Sequence, residues 1–327
     1  MAQKFILAAT AAALIAASGA TPATAQPFTP TKPIEVVVHS GPGAGNDVFG
    51  RAVISAIEQE KLVPVRMQIA NRVGGGGTTA VNYMMSKAGD PHVLAVFTSL
   101  WISNPLVQKR AEHRMVDMTP ISRLILEPGV IVVRAESPFK SLKDFIEGAR
   151  KNPGGLKQSG GSIMARDNLV RQTLQAATGV RWTFVSFPGG GERIAALLGG
   201  HVDMMLMEPS EAGELIRSGK VRALAQVTSK RVAGYEKVPT LKEAGFDVPE
   251  VPQARGLIAP PKIPAAAIAY YEGVFAKLST SPAWQKIVKD NLFENAYLNS
   301  KDTIAFLGDY EKQLRVVLTQ AGATLVR

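Results

Sequence analysis

The 327-residue chain has no cysteine. It therefore has no disulfide, no thiol nucleophile and no thiol for lipid attachment, and its stability must come from an ordinary hydrophobic core. Histidine is scarce: His39, His92, His113 and His201 share no metal-ligand spacing such as H-E-x-x-H. No G-x-S-x-G elbow is present. Acidic residues are outnumbered, 27 Asp and Glu against 37 Lys and Arg, for a net charge of +10. The basic residues are nevertheless spread along the chain, without a basic run or interleaved aromatics, which argues against a nucleic-acid partner. Beyond residue 25 no apolar stretch reaches the roughly 20 residues of a membrane helix.

The first 25 residues carry one charge, Lys4, ahead of the run Phe5–Ala17 of apolar and small residues. Ala23-Thr24-Ala25 then precedes Gln26, the pattern of a secretory signal and its A-x-A cleavage site. The expected mature protein begins at Gln26, is soluble in the periplasm and keeps a charge of +9 once Lys4 leaves, background rather than a site. Its 302 remaining residues are enough for two domains.

One device recurs along the mature chain: a short β-branched run, a glycine-rich turn, then an amphipathic helix. Ile34–Val38, Gly41–Gly45 and a helix from about Asp47 form the first unit, and Val65–Ile69, Gly74–Gly77 and a helix around Val81–Lys87 the second. Leu94–Phe97 and Ile131–Val133 read as buried strands, and Ser141–Asp144 opens a helix with capping-box spacing. Trp182–Val185 leads through Pro188–Gly191 to a helix over Glu192–Leu198. Val202–Met207 and Val221–Val227 are further strands, and the chain from Ala265 is mostly helical. The expected fold class is α/β, with largely parallel sheets covered on both faces.

The Pro- and Gly-rich stretch Val248–Pro264 and the segment Leu126–Pro128 read as two crossings between domains. The expected organisation is a discontinuous first domain, 26–127 with 255–327, and an inserted second domain, 128–254. A pair of crossings can act as a hinge.

Five segments occur in order and at matching spacing: Val38–Asp47, Asn71–Gly77, Leu198–Asp203, Ser218–Ala225 and Val238–Gly245. Together they resemble the Bug family, the TctC-like substrate-binding receptors of tripartite tricarboxylate transporters, over essentially the whole mature chain. The resemblance implies a two-lobed periplasmic binding-protein (Venus-flytrap) fold with a ligand cleft between domains. It also implies a small organic acid as ligand, membrane transporter subunits as partners, and no catalysis or cofactor. There are departures: Ala44 stands where the family's first loop has a second glycine, Val73 where proline is usual, and Gly160-Gly161-Ser162 in place of Ser-Ser-Gly. Met207-Glu208 stands where many relatives carry Asp-Asn.

Such a cleft needs no nucleophile or metal, because helix N-termini behind glycine turns present free N–H donors to a carboxylate. Two turns have that form: Pro42–Asp47, with Gly43, Ala44, Asn46 and Asp47, and Phe187–Gly191, with Phe187, Pro188, Gly189 and Gly190. Ser40, Thr98, Ser99, Ser159, Gly160 and Ser162, at strand ends, are the further candidates for ligand contact. Glu208 is a candidate acceptor for a ligand amine, or equally the cap of the next helix, and Arg255 a partner for Glu208 or for a ligand carboxylate. Asp47 has the alternative role of helix cap, and Asp203 reads as structural. The turn Asn71–Gly77 reads as lying on the outer side of the cleft. Gly75–Ala80 formally matches a G-x-G-x-x-A dinucleotide turn, but Asp90 precedes its strand instead of ending it, so no nucleotide is expected. The expected protein is a monomer. Two other classes fit the same chain, an exported α/β enzyme acting on a small acid and a ligand sensor for a membrane kinase.

Overall fold

The computed structural model describes residues 27–187, 189–320 and 322–327. The expected signal segment with its cleavage point, and Pro188, lie outside the described residues. The chain begins with β1 (Ile34–Val38), α1 (Gly45–Gln59), β2 (Met67–Asn71), α2 (Thr78–Ser86), β3 (Val93–Phe97), α3 (Leu100–Val107) and β4 (Thr119–Glu127). The middle third holds β5 (Val130–Arg134), α4 (Leu142–Lys151), β6 (Lys157–Gly160), α5 (Arg166–Thr178), β7 (Thr183–Ser186), α6 (Gly190–Leu198), β8 (Met204–Met207), α7 (Pro209–Arg217) and β9 (Val221–Gln226). Then come β10 (Gln253–Ala259), α8 (Ala265–Thr280), α9 (Pro282–Asp290), β11 (Glu294–Leu298) and α10 (Ser300–Gln320).

The strands form two sheets, of order β11-β4-β10-β3-β1-β2 and β7-β6-β8-β5-β9. β1 runs parallel to β2 and β3, and β6 parallel to β7 and β8. β10 is antiparallel to β3 and β4, β11 to β4, and β5 to β8 and β9. The sheets are thus mixed, not largely parallel as the alternation of strands and helices predicts. The reason is topological: β10, on the chain's way back into the first sheet, inserts between β3 and β4 and runs against both, β11 runs against β4, and β5, the first strand of the second sheet, runs against β8 and β9. β4 ends at Glu127 in the first sheet and β5 begins at Val130 in the second. The return is not the loose crossing that Pro and Gly suggested. Its middle is β10, buried at every position and in the first sheet from Gln253 onward. At Gly256 a Cβ would collide with the Ser122 carbonyl, so only glycine allows β4 so near.

Local chemistry accounts for the elements that frame the cleft. The valine run of β1 buries four of its five side chains, and α1 places Phe49, Val53, Ala56 and Ile57 on one buried face. Ser141 caps α4, its Oγ accepting from the Asp144 N–H at 3.1 Å while the Asp144 carboxylate accepts from the Ser141 N–H at 2.9 Å. One hydrophobic cluster packs against β1 and β3 through α2 and α3, continues through Leu307, Tyr310 and Leu314 of α10, and reaches Phe145, Leu169 and Trp182 beside the second sheet. The C-terminal helix therefore packs on elements of both sheets. Among the described residues no helix is long and apolar enough to cross a membrane.

Candidate functional site

A cavity of about 420 Å³ lies between the two sheets. Ala44-Gly45-Asn46 at the start of α1, Ala165-Arg166-Asp167 at the start of α5 and Gly189-Gly190 at the start of α6 all line it. The Thr98-Ser99-Leu100 turn that opens α3 adds a fourth wall. The first turn of each of these helices has N–H groups without an intrahelical acceptor, and the macrodipole makes each of these ends partially positive. Glycine brings the turns close: a Cβ on Gly190 would stand 3.2 Å from the Gly43 carbonyl oxygen and 3.3 Å from Ala44 Cα. The turns before α1 and α6 thus meet across the cavity, backbone against backbone.

Three guanidinium groups line the cavity, and each is held by the protein. Arg166 donates from Nε to the Val251 carbonyl at 2.7 Å, from Nη1 to Glu127 O at 3.1 Å and from Nη2 to Val227 O at 2.9 Å. Those carbonyls lie at the end of β4, just past β9 and just before β10, so one side chain ties together the segments that join the sheets. Arg193 donates to the Glu211 carboxyl at 3.1 and 3.2 Å, and its Nη1 lies 3.6 Å from Asp167 Oδ2. Arg255 donates from Nε to Glu127 Oε2, and its Nη2 lies 3.6 Å from Glu208 Oε1.

The buried acids divide into protonated and ionised. Burial, reinforced by the charge of Glu208, pushes the Glu211 carboxyl up to about 8. Glu211 accepts from the Gly45 N–H at 3.1 Å, so this side chain of α7 reaches the N-terminus of α1 on the other side of the cavity. Burial also raises Glu208, but Arg255, Arg193 and Arg166 together outweigh it and hold Glu208 below the ordinary glutamate value. Burial raises Asp167 to about 6, against the pull of Arg193. His39 is neutral: burial first, then Arg255, lowers it to about 4, and its Nδ1 lies 2.9 Å from Asn46 Nδ2. Ser40 Oγ and Asn46 Oδ1, on residues that line the cavity, are buried without a partner among the described residues.

Comparison with known proteins gives the family. The sequence profile of the tripartite tricarboxylate transporter family receptors (TctC) matches residues 51–322. The chain belongs to this receptor family. A UPF0065 protein from the gbd 5′ region of Cupriavidus necator is 29% identical over 321 residues, 97% of either chain. The periplasmic binding protein BugD superposes with a TM-score of 0.84 at 23% identity, over 90% of this chain and 99% of its own. An R. palustris protein with adipate superposes with a TM-score of 0.85 at 22% identity, again over 90% of this chain and 99% of its own.

In this TctC-family chain the residues expected at the cleft divide into two groups. Ser40, Ala44, Asn46, Thr98, Ser99, Ser162, Phe187, Gly189, Gly190 and Glu208 line the cavity. Gly43, Asp47, Ser159 and Gly160 do not, for reasons visible in their contacts. Asp47 accepts from the Gly43 N–H at 3.0 Å, from Arg51 at 2.9 and 3.1 Å and from Asn71 at 3.0 Å, and so braces the turn from behind. Ser159 is buried inside β6, and the space a Cβ would need at Gly160 is filled by Asp167 and Phe184. The turn Gly74–Gly77, expected outside the cleft, lines it. Gly74 to Gly77 all have positive φ, and this left-handed path carries the turn to Asn104 and Ser162. Asp203 is structural, accepting from the Lys157 N–H at 2.8 Å. Glu208 stands at the N-cap of α7, yet its side chain accepts no capping hydrogen bond.

Sequence reasoning did not find His39, Arg166, Asp167, Arg193 or Gln253 at the cavity. Gln253 links Thr98 and Ser99, donating to Thr98 Oγ1 at 3.1 Å and accepting from Ser99 Oγ at 3.1 Å. The usable signal was charge where a core was forming: Arg193 interrupts the apolar face of α6, and Arg255 a buried strand.

Proposed function

We propose that this chain is a periplasmic solute-binding protein that captures a small carboxylate and delivers it to the membrane subunits of a tripartite tricarboxylate transporter. Residues 27–127 with 253–327 form one lobe and 128–252 the other, and the lobes close on the ligand about the Arg166-tied crossings. One observation carries this reading: the N-termini of α1 and α3 beside the first sheet, and of α5 and α6 beside the second, open on a single cavity. Facing donors suit an anion held from both sides. Membership of the receptor family and the adipate held by a structural neighbour support a carboxylate as that anion. The protein binds its ligand without converting it.

A thermal-shift screen of mono-, di- and tricarboxylates tests this. A true ligand at 100 times its Kd adds about 2.7 kcal/mol of stability, and mass spectrometry should recover it unchanged. Absence of any stabilising carboxylate, or turnover of the best one, refutes the proposal.

A further inference from the structure

A second cavity, of about 490 Å³, lies behind the crossings. Residues 126–128 of the outward crossing floor it, with Pro252 and Gln253 of the return. Residues 227–233, just past β9, form one wall, and the end of α9 with the start of β11 forms the other. Arg166 and Gln253 line both cavities, so the crossings are the partition between them. Strand order sets the two on opposite sides of that partition. In the first sheet the cleft lies at β1 and β3 and the rear cavity at β11, with β10 and β4 between. In the second the cleft lies at β7, β6 and β8 and the rear cavity past β9, with β5 between. Spaces on opposite sides of one hinge change in opposite senses, so parting the lobes at the cleft narrows the rear.

Leu292, which lines the rear cavity, holds φ at +56°, in the left-handed region where a leucine Cβ crowds the backbone. It follows α9, whose end is closed by the Phe293 N–H donating to Val288 O at 3.0 Å and the Leu292 N–H to Lys289 O at 3.3 Å. That closure takes glycine by default where Leu292 stands. The destination of the side chain explains the exception. The position of a Cβ on Gly234, in the loop after β9, is 3.3 Å from both Leu292 Cδ1 and Cδ2. Leu292 thus comes from the first sheet's side and packs on the cluster of Val130, Met207 and Tyr235 beside the second.

We propose that the rear cavity sets how far the cleft opens: Leu292 seated against Gly234 is the stop, and bulk placed in the rear cavity drives the cleft shut. This rests on the hinged-lobe reading above. The coupling is steric and requires no contact with the occupant of the cleft.

The absence of cysteine makes a graded wedge available. Ser229 and Ala233 line the rear cavity and are exposed. Ser229→Cys and Ala233→Cys can therefore be labelled after folding with methyl, propyl or benzyl methanethiosulfonate, and released with dithiothreitol. The readout is made on ligand-free protein. The Gly45 N–H donates to Glu211 across the cleft, so its hydrogen exchange reports lobe opening, with Val53 inside α1 as reference. At one site or both, the benzyl label should slow Gly45 exchange at least about fivefold relative to the methyl label, and the reductant should reverse this. Leu292→Gly, which adopts the same backbone without strain, should speed it. Labels that leave Gly45 exchange unchanged, or speed it, at both sites overturn the proposal. Wild-type exchange in Leu292→Gly removes Leu292 as the stop. The hinge reading is judged separately on wild type: exchange through lobe opening is insensitive to low urea, whereas exchange only by global unfolding follows Val53 as urea rises. In the second case the hinge reading fails and this proposal with it; in the first, an inert wedge refutes this proposal alone.

Discussion

Gly190 offers a graded way to hold the cleft open. Its missing side chain is where the turn before α6 meets the turn before α1, with Gly43 O and Ala44 Cα at 3.2 and 3.3 Å from the position of a Cβ. Both are backbone atoms and cannot rotate aside. Alanine requires the turns to part by a few tenths of an ångström, and valine drives two methyl groups into the same space. Overpacking of this kind costs about 1–3 kcal/mol. If the lobes hinge as proposed, the cost falls on the closed arrangement alone, because parting them frees the first residue of α6, where replacing a helical glycine is neutral or slightly stabilising. We expect Gly190→Ala to weaken ligand binding roughly fivefold and Gly190→Val on the order of 100-fold, with ligand-free thermal midpoints at or above wild type. The neighbouring Gly191 has nothing within 4 Å of its Cβ position, so Gly191→Ala is the matched control and should bind as wild type does. Calorimetry gives the affinities, and small-angle scattering reports whether the valine variant fails to contract with ligand. Binding of Gly190→Val within twofold of wild type refutes the reasoning. So does an equal loss in Gly191→Ala, which would place the effect in the helix and not in the contact.

Glu211 should make stability fall with rising pH. Its native pKa is raised to about 8 from an ordinary value near 4.5, so its contribution is complete below 4.5 and is lost as pH climbs through 8. Glu211→Gln does not titrate, so its thermal midpoint should gain on that of wild type between pH 5 and 8; parallel midpoint curves would refute this. Arg166→Met leaves the carbonyls of Glu127, Val227 and Val251 without their donor, at about 1–3 kcal/mol for each group left unsatisfied. We expect a loss of about 3 kcal/mol or more in urea unfolding, with Arg166→Lys intermediate because an ammonium cannot span all three carbonyls. A midpoint equal to that of wild type would remove Arg166 as a tie between the crossings.

The legible parts of the fold were those in which one physical demand acts alone. The valines of β1 answer only to burial and Ser141 only to helix capping, and both read directly from the sequence. β6, Lys-Gln-Ser-Gly, has no β-branched residue, yet it is an inner strand of its sheet because β7 and β8 pair with it on either side. β10 reads as part of a crossing because Pro and Gly crowd Val248–Pro264, and Gln253, Arg255 and Gly256 give its strand no apolar pattern to set against them. The first two are polar because the strand floors the cavity, and the third is glycine because β4 presses on it. Of the candidate site, the turns before α1 and α6 were legible as strand, glycine and helix in succession. The turn at Gly74–Gly77 was misplaced because its direction depends on a run of left-handed backbone that composition does not reveal. Asp47 was a sound choice of residue with the wrong orientation: Arg51 and Asn71 both bind its carboxylate and turn it away from the cavity.

The helix ends that open on the cavity present amides, which belong to every residue except proline. An exchange of side chains that keeps proline out leaves these donors in place, so a lineage can rewrite most of its sequence without losing them. What heredity can alter is the set of side chains beside the amides, Arg166, Asp167, Arg193, Glu208 and Arg255 among them. New ligands in this family would then arise through a few substitutions around an unchanging grip, and each paralogue would differ from the next by its rim more than by its anchor.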